Sequence, residues 1–354
     1  MARKQLTKEQ QERKAKRIAK RIDANRQKTI DALVKLMERD GLAYVCEWSK
    51  SGNANMLDPQ NPITGTHYRG ANLANLAVQC MEAGICDNRF ATANEAKKMG
   101  WTIPEDARQF MVEKCKRFTF PVTDKNGKPE LDDDGNQKVI SYVRPVSYWW
   151  VYNYSDLEGT PELPDAPKLR DVDDETPEVK LIDALKESSR CKVNERKSDG
   201  AYYSPATDSI TVPRREQFSS PQAMLRTLAH EMGHSTSHAT ACDRNLGNKF
   251  GSDEYAFEEL IAELTSVFVL SYTGADIVPE DGDGDEAMQR RHENHAAYLK
   301  SWLRNFKSDT TYLFRAATKA SAAADYIIER LVSAHPEYER VSERIEMPNS
   351  DKAA

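Results

Sequence analysis

The sequence predicts an α+β protein of two domains: an α+β front domain, and a mainly helical back domain with a small sheet. The chain has 354 residues, and at about 100–200 residues per domain this length favours two domains. An acidic stretch with several prolines divides it, since residues 156–188 carry eleven Asp or Glu against four Lys or Arg. Such a composition predicts an extended linker, because it has little apolar surface to bury. We therefore expect domains at 1–155 and 179–335, a linker at 156–178 and a polar tail at 336–354.

The composition excludes several classes of protein. No segment approaches the ~18 consecutive apolar residues of a membrane span, so we expect no membrane partner. The basic N-terminus lacks the apolar core of a signal peptide. The six cysteines contain no C-x-x-C pair, which argues against a disulfide framework and against a cysteine-based zinc finger. These observations predict a protein with reduced thiols in the cytoplasm. They leave its oligomeric state open.

The helices of the front domain follow from apolar spacing. Residues 5–38 have a stripe of Ile, Leu and Met at helical intervals and predict one long helix. A second helix is expected near 70–84, after a loop rich in Asn, Gly and Pro. Thr92 is a suitable N-cap for a short helix at 93–99, because its hydroxyl can accept a free N–H of the first turn.

Two strands are expected at 116–123 and 138–145, joined by a long connection with turn residues. Just beyond, residues 141–154 include six Tyr or Trp among fourteen residues. Rings that stack on bases beside cations that meet phosphates are typical of a single-stranded nucleic-acid surface. The candidate contacts are His67, Tyr68, Arg69, Lys114, Lys116, Arg117, Arg144, Tyr148, Trp149 and Trp150. Two alternatives stay open: the aromatic strand belongs to the core, and the eleven cations of residues 1–30 form an ordinary solvated helix face.

The strongest motif lies in the back domain, where His230-Glu231-Met232-Gly233-His234 matches H-E-x-x-H. Residues four apart on a helix share one face, so both imidazoles can converge on one metal ion. Glu231 is then placed to take a proton from a metal-bound water. The apolar spacing upstream predicts the helix that this motif requires, and Pro221 suits its first turn.

A third protein ligand is expected, since catalytic zinc takes three and leaves one position open. His238 lies ~12 Å along the axis from His230 if the helix continues, which is too far. Downstream, residues 254–272 predict a buried helix with acidic residues that are costly to bury unless paired or metal-bound. We assign Glu259 as the third ligand, with Glu263 one turn along to orient a histidine, and Glu258 pointing elsewhere. The reverse roles for Glu259 and Glu263 stay open.

Two further features concern the surroundings of this site. A hairpin is expected at 202–213, with its second strand at 208–213, and an edge strand there could pair with an extended peptide. Tyrosines and histidines elsewhere could stabilise an oxyanion, although spacing singles out none of them. They are Tyr203, Tyr272, His292, His295 and Tyr298. The cluster DGDGDE at 281–286 lacks the Gly and Glu spacing of a calcium loop.

The chain resembles the ArdC-type antirestriction proteins of conjugative plasmids, whose front domain is shared with TraC-type plasmid primases. The matching front stretches are NPITGTHYRGANLANLA (61–77), DNRFATANEAKKMGW (87–101) and RPVSYWWVYNYSDLEG (144–159). The matching back stretches are YYSPATDSITVP (202–213), TLAHEMGHSTSH (227–238), FGSDEYAFEELIAELTSVFV (250–269) and residues 295–327.

The resemblance implies an N-terminal domain that binds single-stranded DNA and a C-terminal zincin-like metallopeptidase domain with Zn²⁺, or Mn²⁺ or another divalent ion. It implies protection of incoming DNA from restriction in a new host. The protein substrate would be a host restriction or defence protein, and the chain would come from a plasmid, a phage or another mobile element. The alternative is a DNA-coating accessory protein whose metal site is structural or vestigial.

Overall fold

The computed structural model describes residues 7–40, 58–123, 128–131, 136–163, 176–218, 220–244, 246, 252–275 and 301–340. Most of the predicted linker (164–175), the calcium-like cluster at 281–286, the residues His292, His295 and Tyr298, and the end of the polar tail (341–354) lie outside these ranges. No helix in the described ranges is long and apolar enough to cross a membrane.

Seven helices of the described residues carry the fold, and residues 301–308 form a further helical segment. The seven are α1 (Lys8–Asp40), α2 (Ala71–Glu82), α3 (Ala93–Met99), α4 (Pro177–Ser188), α5 (Pro221–Ser235), α6 (Asp253–Thr273) and α7 (Tyr312–Ala334). The expected helices of the front part are present within a few residues of their predicted bounds. Thr92 caps α3 as expected, in a reciprocal capping box with Glu95.

The front sheet has the order β3-β5-β4, with β3 (Phe90–Ala91), β4 (Gln109–Pro121) and β5 (Val139–Asn153) all antiparallel. The two long strands extend well beyond the predicted 116–123 and 138–145. The aromatic-rich segment 141–153 forms most of β5, and its end, residues 149–152, pairs with the apolar run that begins β4. A separate short ribbon joins β1 (Gln60–Asn61) to β2 (Thr66–His67).

The back sheet is small, as expected, and has the order β6-β8-β7. Strand β8 (Ser209–Val212) runs parallel to β6 (Lys192–Glu195) and antiparallel to β7 (Tyr202–Ser204). The predicted hairpin at 202–213 is therefore present, but its second strand, β8, is central because β6 pairs with its other side, and β7 is the edge strand instead. Ile210 and Val212 of β8 are fully buried against the helices, so this sheet covers one side of the core.

One continuous apolar cluster contains residues of both halves, from α1 and α2 to α5, α6 and α7. Gly70, at the start of α2, marks a close approach between them. Its N–H donates to Ser321 Oγ of α7 (2.9 Å), and a Cβ there would meet Thr318 Cα at 3.3 Å. Gly70 also has a positive φ of 57°, which a side chain would disfavour. The two halves therefore pack directly against each other, and the predicted linker and domain boundaries stay a prediction.

Candidate metal centre and nucleic-acid face

Helix α5 begins where the sequence supplies a cap and buries the face that carries its histidines. Ser220 Oγ accepts a hydrogen bond from the N–H of Ala223 (3.2 Å), and Pro221 occupies the first helical position. The apolar residues upstream of the motif, Leu225 and Leu228 among them, are fully buried. This packing fixes the helix so that His230 and His234, one turn apart, direct their Nε2 atoms to within 3.1 Å of each other.

Gly233 lets α5 approach α6 closely. A Cβ at this position would lie 3.2 Å from Ala262 Cα and 3.2 Å from Thr265 Cβ of α6. Those distances are too short for an ordinary side-chain contact with backbone, so any larger residue must push the helices apart. Glycine is costly inside a helix, and here close helix packing explains its presence.

Glu259 of α6 completes a three-residue group with the two imidazoles. Its carboxylate oxygens lie 3.6 Å from His230 Nε2 and 3.5 Å from His234 Nε2. One ligand atom of each residue lies within 4.8 Å of the others. Tetrahedral zinc with ligands at 2.0–2.2 Å implies ligand-to-ligand separations of about 3.3–3.6 Å. The donor set and its spacing therefore fit a divalent ion of this kind.

Each imidazole is supported from behind by a second glutamate, which is itself bound by an arginine. Glu263 lies 3.3 Å from His230 Nδ1 and forms an ion pair with Arg226. Glu258 lies 3.6 Å from His234 Nδ1 and receives two bonds from Arg244, of 2.6 and 3.1 Å. A carboxylate on Nδ1 favours the tautomer with its proton there and frees Nε2 to bind a metal. His230 thus has the support typical of a metal ligand, whereas Glu258 lies close to His234 Nδ1 without a hydrogen bond to it.

The buried carboxylates also shift the protonation of the rings. Burial opposes a charged His230, but the neighbouring carboxylates of Glu259 and Glu263 outweigh it and raise the pKa. Burial likewise opposes a charged His234, yet Glu258 and Glu259 raise its pKa to about 10. Burial would raise the pKa of Glu259, but the two imidazoles hold it well below its usual range. In the metal-free protein the group therefore retains protons that a metal must displace.

Glu231 lies beside this group on α5, and its side chain is almost inaccessible (7% exposed). Among the described residues, no donor forms a hydrogen bond or ion pair with its carboxylate. Its negative charge contributes to the raised pKa of His234, which places the carboxylate near the metal group.

The front sheet carries most of the candidate nucleic-acid contacts, distributed over both of its faces. Lys114, Lys116, Arg117 and Arg144 are exposed on β4 and β5, and Lys116 pairs directly with Arg144 across the ladder. Both cations lie over the Phe118 ring, at 5.6 and 4.4 Å. Trp149 and Trp150 are 40% and 37% exposed. Exposed aromatic and basic side chains therefore lie on the same two strands.

Tyr148 connects this sheet to the basic helix. Its hydroxyl accepts a hydrogen bond from Arg21 of α1 (2.7 Å), and its ring meets Trp150 edge-on at 6.0 Å. The ring is half-buried.

The three candidate residues of the earlier loop have other partners. His67 Nδ1 lies 2.9 Å from buried Asp58, and Arg69 lies 3.6 Å from the same carboxylate. Arg340, from the segment after α7, also binds Asp58 (2.8 Å). Tyr68 is 5% exposed and packs against Phe90. The structure therefore brings His67 and Arg69 to an ion cluster, and it leaves Tyr68 little surface to offer a base.

The two candidate oxyanion residues that the structure describes are also engaged. The Tyr203 hydroxyl donates to Asp208 (2.8 Å), which Arg190 binds as well. The Tyr272 hydroxyl accepts the backbone N–H of Arg340 (3.2 Å). Neither contact singles out a catalytic role. His238, which the sequence excludes as a ligand, lies 3.9 Å from Asp208 and is not part of the metal group.

Two family models match the two halves of the chain. Residues 23–149 match the family model of the N-terminal domain of anti-restriction factor ArdC, and residues 180–319 match that of a zincin-like metallopeptidase. The metal-free crystal structure of antirestriction ArdC from plasmid R388 is 27% identical. It superimposes with a TM-score of 0.62, covering 87% of this chain and 98% of that chain. The chain has the two-domain organisation of ArdC.

The Mn(II)-bound structure of ArdC from R388 is also similar, at 25% identity and a TM-score of 0.61 over 86% of this chain and 97% of that one. Among curated proteins, two sequences named DNA primase TraC, both from Escherichia coli, are 33% and 30% identical over 81% of this chain. The chain spans only 19% and 26% of their lengths. The uncharacterized protein y4eC of Sinorhizobium fredii is 25% identical over 83% of this chain and 88% of its own.

Sequence reasoning misses one supporting pair at this site. Helical spacing predicts that Glu258 points elsewhere, because it is not on the same face as Glu259 and Glu263. It instead reaches His234 Nδ1, since His234 lies one turn beyond His230 and on the side where Glu258 emerges. Arg244, its partner, comes from the segment after α5, where nothing in the sequence marks it. The one sequence signal for Glu258 is the presence of two ligand histidines, because each imidazole needs a partner for its Nδ1 atom.

Proposed function

We propose that this protein binds single-stranded DNA with its front domain and hydrolyses a peptide bond at a metal centre in its back domain. Its role would be to protect DNA that enters a new bacterial host from restriction or a related defence. The observation that carries the proposal is the convergence of two imidazoles and Glu259 beside a buried carboxylate, Glu231, in a chain with the organisation of ArdC.

The ligands in this proposal are His230 and His234, through Nε2, and Glu259. Glu263 and Glu258 hold the two rings in the tautomer that frees those nitrogens. A donor set of two imidazoles and one carboxylate is typical of catalytic zinc, and the Mn(II)-bound structure of ArdC from R388 makes manganese a second candidate. When bound, the ion would polarise a peptide carbonyl and lower the pKa of a water molecule.

Glu231 is the proposed general base. Its carboxylate takes a proton from the attacking water and then delivers that proton to the leaving amine. It adjoins His230 in sequence, so the same helical turn positions the ligand and the base.

The DNA site in this proposal is the exposed surface of β4 and β5. Trp149 and Tyr148 would stack on bases, and the neighbouring cations would meet phosphates. Those cations are Lys114, Lys116, Arg117 and Arg144. His67, Tyr68 and Arg69 are less suited, because their side chains already contact Asp58 or the core. The peptidase target would be a host restriction or defence protein in the cytoplasm, brought close by the DNA.

Substituting Glu231→Gln tests the peptidase half. The variant should keep its fold and bind metal as the wild type does, because Glu231 is not a proposed ligand. It should lose protection of unmodified DNA transferred into a restricting host. Glu254→Gln, an exposed change in the first turn of α6, is the matched control and should protect fully. If Glu231→Gln protected as well as the wild type, hydrolysis would be irrelevant, and a DNA-coating protein with a structural metal would replace the proposal.

A further inference from the structure

Helix α1 extends beyond the body of the front domain. Its second half is anchored: Asn25 and Thr29 bond to Asn75 of α2, at 2.9 and 2.5 Å, and Arg26 forms a bidentate pair with Glu113 of β4. Between residues 7 and 21, every side chain is exposed except half-buried Ile18. The match to the ArdC N-terminal domain begins only at residue 23, so this outer half lies ahead of the matched region.

The cations of the outer half are arranged by face. Lys14, Arg17 and Arg21 recur at intervals of three and four residues, which places them in one stripe. The acids of the same region lie more than ~100° around the axis from the centre of this stripe, at 3.6 residues per turn. They are Glu9, Glu12 and Asp23. Arg13, outside the stripe, forms an ion pair with Glu9 (2.6 Å). The stripe therefore presents positive charge without a neighbouring acid on the helix.

The stripe leads directly to the aromatic surface of the sheet. Arg21, its last member in the outer half, donates a hydrogen bond to Tyr148 (2.7 Å), whose ring contacts Trp150. Lys28, seven residues after Arg21, continues the stripe and is exposed. A row of cations that ends on stacking rings fits a ligand with both phosphates and bases.

We infer that Lys14, Arg17 and Arg21 form a phosphate-binding track that extends the single-stranded DNA site of the sheet along α1. The inference rests on the proposed DNA binding, and it adds a surface ahead of the matched domain. An acidic peptide would satisfy the charges but would have no use for the adjoining rings. A membrane surface is disfavoured because the apolar face of the outer half is small, with Ile18 flanked by Ala15 and Ala19.

The test compares two double variants of the full chain with single-stranded oligonucleotides at a series of salt concentrations. Lys14→Gln/Arg17→Gln removes two cations from the stripe. Lys16→Gln/Lys20→Gln removes two from the other side of the same helix and is the matched control. For every cation that no longer meets a phosphate, the slope of log Kd against log salt should fall by about 0.7. The slope of the stripe variant should therefore be about 1.4 lower than that of the wild type, and the control should match the wild type.

Each other outcome has a distinct meaning. An unchanged slope in the stripe variant, with the wild type still binding, would overturn the track and leave the sheet site intact. Equally reduced slopes in both variants would also overturn it, since general charge rather than one face would be responsible. No binding by the wild type would instead refute the proposed DNA function itself. Helix content measured by circular dichroism should be the same in all three proteins.

Discussion

Replacing Glu258, Glu259 and Glu263 in turn with glutamine distinguishes a metal ligand from a residue that supports a ligand histidine. Glutamine keeps the shape of the side chain and removes its charge. Glu259 faces Nε2 of both imidazoles, at 3.6 and 3.5 Å, whereas Glu263 and Glu258 face Nδ1, at 3.3 and 3.6 Å. Removing the partner of a ligand histidine typically weakens metal binding by 10–100-fold, or about 1.4–2.7 kcal/mol. Removing a ligand should cost more.

We therefore expect Glu263→Gln and Glu258→Gln each to lower zinc affinity within that range, and Glu259→Gln to lower it further. Competition with a chromophoric chelator measures all three at one pH. Glu254→Gln again supplies the control, because its side chain is exposed on the same helix. A larger decrease in Glu263→Gln than in Glu259→Gln would refute the assignment and support the reverse roles.

Three further predictions concern packing, protonation and DNA. Gly233→Ala should destabilise the protein by about 1–3 kcal/mol and weaken metal binding, because the added Cβ meets the α6 backbone at 3.2 Å. Denaturant unfolding and metal titration measure the two effects. If neither the free energy of unfolding nor the metal affinity changed, the prediction would be wrong. The pKa of His234 is raised to about 10, above ~6.5 in the unfolded chain, so its stabilising contribution in the metal-free protein is complete below pH ~6.5 and is lost as the pH rises toward about 10. Zinc affinity should rise over the same interval because the ion requires neutral imidazoles, and a pH-independent affinity in chelator competition would count against it. Trp149→Ala should weaken single-stranded DNA binding by about 1–3 kcal/mol for one stacked base with the salt slope unchanged; a lower slope with little change in affinity would mean that Trp149 acts through the charges instead.

Most of the metal group can be predicted from the sequence because its geometry depends on residues that are close together in the chain. His230 and His234 share a helical face by spacing alone, and the apolar run around Glu259 requires that helix to be buried. Which of Glu259 and Glu263 is the third ligand depends on how α5 packs on α6. That packing depends on Gly233, whose neighbours on α6 are about thirty residues away in sequence, so no local pattern could reveal it.

The front domain is predicted less completely. The helices and the existence of two strands follow from periodicity and turn residues, but the strands are longer than expected. Alternation is weak where β4 is buried near Phe110 and Val112 and exposed farther along, so the pattern alone gives no clear beginning. His67 and Arg69 are interpreted as DNA contacts from their residue types. The charge that pairs with them, Asp58, is shared with Arg340 from the far end of the chain, a contact that spacing does not encode.

Anomalous diffraction from crystals grown with zinc tests the central claim most directly. The account predicts a single strong peak about 2.0–2.2 Å from Nε2 of His230, Nε2 of His234 and a carboxylate oxygen of Glu259. A peak bound by other side chains, or imidazoles turned so that Nδ1 rather than Nε2 approaches the ion, would contradict it.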